Sequence, residues 1–353
     1  MHILHTAAIV FFCCVVSLFY LRPIAIKFNL VDSPNERKSH NGHIPLVGGL
    51  STLLGVWIIY LFMPDLLPLQ TIYTLLASSL VLVGLIDDRF DISAISRLIV
   101  ISLIAIWLVK INGISLSYLG DLLGNGEVML GGWSTLFTIF AVIGCITAFN
   151  MIDGIDGLLG ALASVSIGTL GFMFWHSGNH SISLFCFLLI ISMLAYIFFN
   201  LSIKVKSKYK VFMGDSGSFL IGFSILWLLV FATQNIEGIN NLNKAIKPVT
   251  ALWIIAVPLM DMVLVMLRRI INKKSPILAD RTHIHHVALR SGFTAKQALI
   301  GISLFALLLA IVGIILEISG VKEAHSLYLF IATFFIYATA SLSLQAQRKA
   351  IAS

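Results

Sequence analysis

Eleven apolar runs of about 17–21 residues, several of them shorter, recur along the chain and dictate what it can fold into. They lie at 4–21, 46–63, 71–86, 97–111, 133–151, 158–175, 181–201, 217–234, 249–267, 297–317 and 325–343. A run of that length crosses the hydrocarbon core of a bilayer as a helix, because a spanning segment must satisfy its own backbone hydrogen bonds. The fourth run is the weakest, since Lys110 and Asn112 follow its short core. Charged residues make up 11% of the chain, against about 25% in soluble domains, and a soluble core has no use for so much apolar surface. The expectation is an all-α polytopic membrane protein of about 11 transmembrane helices, forming one integral-membrane domain over residues 1–353.

Basic residues set the orientation. With the loop after the first run taken as inside, 19 of the 23 lysines and arginines fall inside. Only Lys110, Lys244, Lys247 and Lys322 fall outside. This places the N-terminus outside and the C-terminus in the cytoplasm. The first run lacks a basic leader and a small-residue cleavage site, so it reads as a retained span. Cys13, Cys14, Cys145 and Cys186 all sit inside apolar runs and read as small apolar residues, not as a disulfide or zinc framework.

With that parity, every polar, motif-like stretch faces the cytoplasm: 22–45, 87–97, 150–157, 202–218 and 268–296. The outside loops hold scattered acids only. A scaffold has no need of such asymmetry; a site on the cytoplasmic face does. Asp87-Asp88-Arg89-Phe90-Asp91 ends a charge-free run. On a continuing helix Asp87 and Asp91 share a face, and carboxylates this close need a counter-charge. Mg²⁺, Mn²⁺ or an arginine such as Arg89 or Arg97 would provide it. The plain alternative is a solvated helix end.

Asn150, Asp153 and Asp156 step by three and line one side of a helical turn, with Gly154 and Gly157 letting backbone approach a ligand. They suit a metal, a base or a ribose; the alternative is a glycine-rich turn in water. Met213-Gly214-Asp215-Ser216-Gly217-Ser218 opens a span, where free N–H groups await phosphate oxygens and Asp215 bridges through a cation or simply caps the helix. Lys204, Lys206, Lys208 and Lys210 before it are the ordinary basic flank of a span.

Asp280-Arg281-Thr282-His283-Ile284-His285-His286 lacks a fourth ligand for zinc, so its imidazoles read as partners of phosphate or sugar oxygens. Asp261, inside a span, lies seven residues before Arg268 and close to the same helical face, as a structural pair or as a polar wall of the site. Arg37-Lys38-Ser39-His40 meets either a lipid phosphate or the anionic leaflet, and Gly48-Gly49 opens a tightly packed helix.

Five of these stretches stand in a familiar order: Ile44-Pro-Leu-Val-Gly-Gly, Asp87-Asp-Arg-Phe-Asp, Ala148-Phe-Asn-Met-Ile-Asp-Gly-Ile-Asp-Gly, Val211-Phe-Met-Gly-Asp-Ser-Gly-Ser and His283-Ile-His-His. Together they resemble the polyprenyl-phosphate N-acetylhexosamine-1-phosphate transferases. The first and last look most like the bacterial branch that starts enterobacterial common antigen and O-antigen.

The resemblance implies attack by undecaprenyl phosphate on the β-phosphorus of UDP-GlcNAc, giving UMP and a lipid-linked pyrophosphoryl sugar. Another UDP-N-acetylhexosamine would use the same chemistry. It implies Mg²⁺, with Mn²⁺ as substitute, a bacterial inner-membrane setting with the site facing the cytoplasm, and a homodimer; nucleic acid has no part. Carried onto this chain, the metal set is Asp215, Asp88 and Asn150. The catalytic set is Asp87, Asp88, Asp153, Asp156 and His283. Asn150, Arg97, Arg269, His285 and His286 hold phosphate or sugar. Two rival readings remain, an aspartate-rich intramembrane prenyltransferase and a transporter. The prenyltransferase leaves the Met-Gly-Asp and histidine stretches unexplained, and the transporter calls for repeats that the chain lacks.

Overall fold

The computed structural model describes residues 2–32, 42–202, 209–236, 239, 243–276, 280 and 282–352. The Arg37–His40 stretch, Lys204, Lys206, Lys208 and Arg281 lie outside the described residues. Among those described, the apolar runs are helices, because an uninterrupted run of Leu, Ile, Val and Phe can pair its backbone only with itself. Helix α1 (His2–Lys27) is followed by a two-stranded antiparallel ribbon, β1 (Val31–Asp32) and β2 (Ile44–Pro45), and then by α2 (Gly48–Phe62). Next come α3 (Gln70–Phe90), α4 (Ala94–Asn112), α5 (Ser134–Ile152), α6 (Leu158–His176), α7 (His180–Asn200) and α8 (Gly214–Thr233). The chain closes with α9 (Pro248–Ile254), α10 (Ala256–Ile271), α11 (Ile284–Arg290), α12 (Ala295–Ile318) and α13 (Glu323–Ala352).

Nine helices of the described chain are long and apolar enough to cross a membrane, or ten if a bent pair counts as one span. That pair corrects the straight span expected at 249–267: α9 and α10 meet at 83°. Pro258 accounts for the break, since it has no N–H to offer the carbonyl of Ile254 four residues back. That carbonyl instead accepts a hydrogen bond from Ser166 Oγ at 3.0 Å. The second run is also shorter than expected, with α2 holding 15 residues. The weak fourth run forms a full helix that stops at Gly113 in a left-handed conformation.

Helix α8 is the axis of the bundle, buried from Ser216 to Thr233 and packed by α2, α3, α5 and α6. α1 and α7 lie against α2, while α12 packs on α6 and α9. The four cysteines are unpaired, and all but Cys13 are buried. At one end of the bundle, Phe212 N–H donates to Pro45 O at 2.9 Å, while Gly48 and Gly49 N–H donate to Phe212 and Met213. Gly49 is pressed on the backbone of Gly217, so that a Cβ there would collide with it. Close approach of the two helix starts therefore holds the tip of α8 in place.

Candidate active site

The tip of α8 gathers side chains from three other helices. Asp215, the second residue of α8, accepts from Asn150 Nδ2 at 2.6 Å and from Arg97 Nη1 at 3.4 Å. Asn150 comes from the last turn of α5 and also donates to Ser218 Oγ at 2.8 Å. Arg97, in the first turn of α4, holds Asp87 Oδ2 at 2.9 Å with the same nitrogen. Asp87 is 4% exposed and Asp88, beside it on α3, is half-buried.

The α8 N-terminus is not open to phosphate, as the spacing suggested. Asp88 Oδ1 accepts the Asp215 N–H at 2.7 Å and Oδ2 accepts the Ser216 N–H at 3.2 Å. A carboxylate from α3 thus takes the anion position at the positive end of α8. Gly214, at φ +75, permits the fit; a Cβ there would run into that carboxylate. Asp91 does not join Asp87 on one face either. The helix stops at Phe90, and Asp91 turns left-handed at φ 49 as its exposed cap.

Two carboxylates, Asp87 and Asp215, therefore converge on the single guanidinium of Arg97, and a third, Asp88, lies beside them on the backbone N–H groups of Asp215 and Ser216. Hard oxygens in excess of positive charge fit a divalent cation, and Mg²⁺ takes one or two carboxylates, leaving its other positions to water and substrate phosphate. Among the described residues no three His, Cys, Asp or Glu already form a cage. Asp215 and Asp87 suit the ion. Asp88 does so less than expected, having spent both oxygens on backbone N–H groups, and Asn150 turns its amide nitrogen toward Asp215.

The loop after α5 joins this cluster to a second one. Asn200 ties it down, accepting the Gly157 N–H at 2.6 Å and donating to Val211 O at 2.9 Å. Asp156 pairs with Lys210 at 2.5 Å, so this lysine is more than a flank. Asp153 ends α5, and at Gly154 the ring of His285 lies so close that a Cβ would strike its Nε2.

His285 is 1% exposed, stacked on His283 at 5.9 Å between ring centroids and 4.2 Å from His286. Burial first, then the neighbouring His286 and His283, push its imidazole down to about 2, so it is neutral. The loop carrying these rings is pinned to α10 at both ends. Arg269 Nη1 holds Asp280 Oδ2 at 2.8 Å, and its Nε donates to Ser275 O. Burial raises the Asp280 carboxyl, but hydrogen bonds from Thr282 and Arg269 outweigh it and keep the group below its ordinary range. At the other end His283 Nδ1 meets Asp261 at 2.7 Å.

Asp261 is thus a partner of His283 and not of Arg268, which instead reaches Gln345 on α13. Arg269, expected at a phosphate, is engaged with its own loop. The sequence reading also missed Lys210, Asn200, Ser218 and Tyr337. A buried acid inside a span was the one sign pointing toward Tyr337, whose Oη donates to Asp261 at 2.9 Å.

Residues 70–233, from the first residue of α3 to the last of α8, match the sequence family described as Glycosyl transferase family 4. The chain is 46% identical over 329 residues to the undecaprenyl-phosphate alpha-N-acetylglucosaminyl 1-phosphate transferase of Salmonella typhimurium, covering 93% of this chain and 88% of that protein. The Yersinia pestis protein of the same name is 46% identical over 322 residues, 91% of this chain and 86% of the relative. The Escherichia coli protein of that name is 44% identical over 321 residues, with the same coverage.

Proposed function

The chain belongs to glycosyl transferase family 4, and on that premise we propose that the tip of α8 and the histidine loop make one site for GlcNAc-1-phosphate transfer. The protein is a multi-pass membrane enzyme that transfers GlcNAc-1-phosphate from UDP-GlcNAc to undecaprenyl phosphate. A phosphate oxygen of the lipid forms a new bond to the β-phosphorus. The bond from that phosphorus to the bridging oxygen breaks, and UMP leaves with both electrons. The single observation that supports the site is the crowding of three acids at the tip of α8, Asp87 and Asp215 on Arg97 and Asp88 on the backbone of Asp215. Such an arrangement neutralises an incoming pyrophosphate only with an added cation.

Asp215 and Asp87 would hold Mg²⁺ or Mn²⁺, which supplies charge neutralisation on the pyrophosphate. Asp87 also faces the lipid phosphate and orients it. Asn150 fixes Asp215, and Arg97 exchanges carboxylate for phosphate contact as substrate arrives. Asp153 and Asp156 serve the nucleotide, and His283, His285 and His286 the sugar phosphate. The site faces the cytoplasm of the bacterial inner membrane, with the N-terminus outside. The 19 basic residues assigned to that side support this orientation, and the acids of α3, α5 and α8 meet at one end of the bundle.

Purified protein offered undecaprenyl phosphate with UDP-GlcNAc or UDP-N-acetylgalactosamine tests this. The expected product is UMP, with UDP-GlcNAc preferred, lost on chelation and restored by Mg²⁺. Release of UDP or pyrophosphate in place of UMP overturns the reaction, and turnover indifferent to chelation removes the cation.

A further inference from the structure

Asp261 is 2% exposed on α10, inside the broken span. Its two oxygens have three partners. His283 Nδ1 approaches Oδ2 at 2.7 Å, while the Ile284 N–H and the Tyr337 hydroxyl reach Oδ1 at 2.8 and 2.9 Å. Oδ1 already takes the Ile284 N–H and the Tyr337 hydroxyl, which leaves Oδ2 for His283 Nδ1, and a carboxylate at that place takes the Nδ1–H of the ring. A buried charge in an apolar helix is tolerated only with such satisfaction. The same contacts fix the ring. With its Nδ1–H on Asp261, His283 has one nitrogen left, Nε2, and the Ile284 N–H bond fixes the first turn of α11 from which the ring projects.

We propose that Asp261 and Tyr337 are positioning residues for His283. They fix its rotamer and its tautomer so that Nε2 meets the sugar phosphate of the nucleotide donor. The inference rests on the reading of His283 as a residue that faces substrate. It draws on α10, α11 and α13, elements whose residues stand 22 and 76 positions from Asp261. The last helix of the described chain is on this view part of the catalytic apparatus.

Asp261→Asn keeps the shape and reverses the bond. Its amide offers N–H to Nδ1, and the ring must move its proton to Nε2. In the full chain in detergent, kcat/KM for UDP-GlcNAc should fall ~100-fold, less than the ~10⁴-fold that the same exchange costs a triad aspartate, because His283 here holds phosphate and moves no proton. Tyr337→Phe should cost a few-fold through the same route, by weakening one of three bonds to the carboxylate. Both substitutions are repeated in a His283→Gln background. If Asp261 works through His283, neither costs anything further there.

Imidazole ¹⁵N spectra of histidine-labelled protein give a second readout. The signal lost in His283→Gln should show Nδ1–H in the wild type and Nε2–H in Asp261→Asn. Equal cost of Asp261→Asn in both backgrounds, or the same tautomer with and without the carboxylate, overturns the proposal. Should Asp261→Asn not fold, the Tyr337→Phe cycle decides it alone, and additivity there is fatal. Wild-type turnover in His283→Gln overturns the underlying reading of His283 instead, a distinguishable result.

Discussion

The acid cluster at the tip of α8 and the histidine loop on α10 lie at the same end of the bundle and solve opposite problems. At the first, Asp87 and Asp215 share one arginine, with the Asp88 carboxylate against the backbone of Asp215. At the second, each carboxylate has its own partners: Asp280 has Arg269 and Thr282, and Asp261 has three. An under-neutralised cluster is expensive until positive charge arrives, so it marks where a cation and its phosphates belong. A fully paired cluster is finished, and what it offers is position. Charge removed from the first should cost activity alone. Disturbance of the second should move geometry, and stability with it.

The strongest way to break this contrast is Asp215→Asn. Loss of a charge-stabilising contact should lower UMP release by ~10³-fold. The melting temperature in detergent should stay level or rise, because one repulsive charge is gone. A marked drop in melting temperature would place Asp215 among the structural groups. Gly154→Ala attacks the joint between the clusters. Its new Cβ must push His285 aside, and misplacement by about 1 Å is expected to cost up to ~100-fold in kcat. Unchanged kinetics would separate the histidines from the acid site.

Asp88→Ala sharpens the difference further. If Asp88 serves as the cap of α8, its loss should destabilise the protein by about 1–2 kcal/mol, measured by denaturation. A metal ligand would show the activity loss of Asp215→Asn with no change in stability. The smallest effect is that of pH on His285. Its folded value lies far below 6.5, so the unfolded chain binds the extra proton as pH falls through 6.5. Stability should therefore decline below about pH 6.5, and His285→Gln should flatten that slope in thermal melts.

Much of this was legible in the linear chain. A helix in lipid must be apolar over its whole length, and each of the eleven runs falls on a helix or on the bent pair. The acids at 87–88, 150–156 and 215 were visible because they interrupt or flank such runs, and the fold brings Asp88, Asn150 and Asp215 together as expected. Partnership was harder to read. Nothing in periodicity says that Asp88 lies across the start of α8, or that Asp261 takes a histidine 22 residues on in place of an arginine seven away. Those choices depend on how separate helices pack. The break at Pro258 was detectable in principle, since a proline inside a helical run removes one donor.

The bond between Tyr337 and Asp261 also bears on how the molecule is made. A ribosome delivers this tyrosine after the acids on α3, α5 and α8, all of which precede it in the chain. A half-finished copy in the bilayer would thus hold its charged pit without the clasp that orients its histidine. The ring of His283 would be oriented only once α13 has followed α10 and α11 into the bundle.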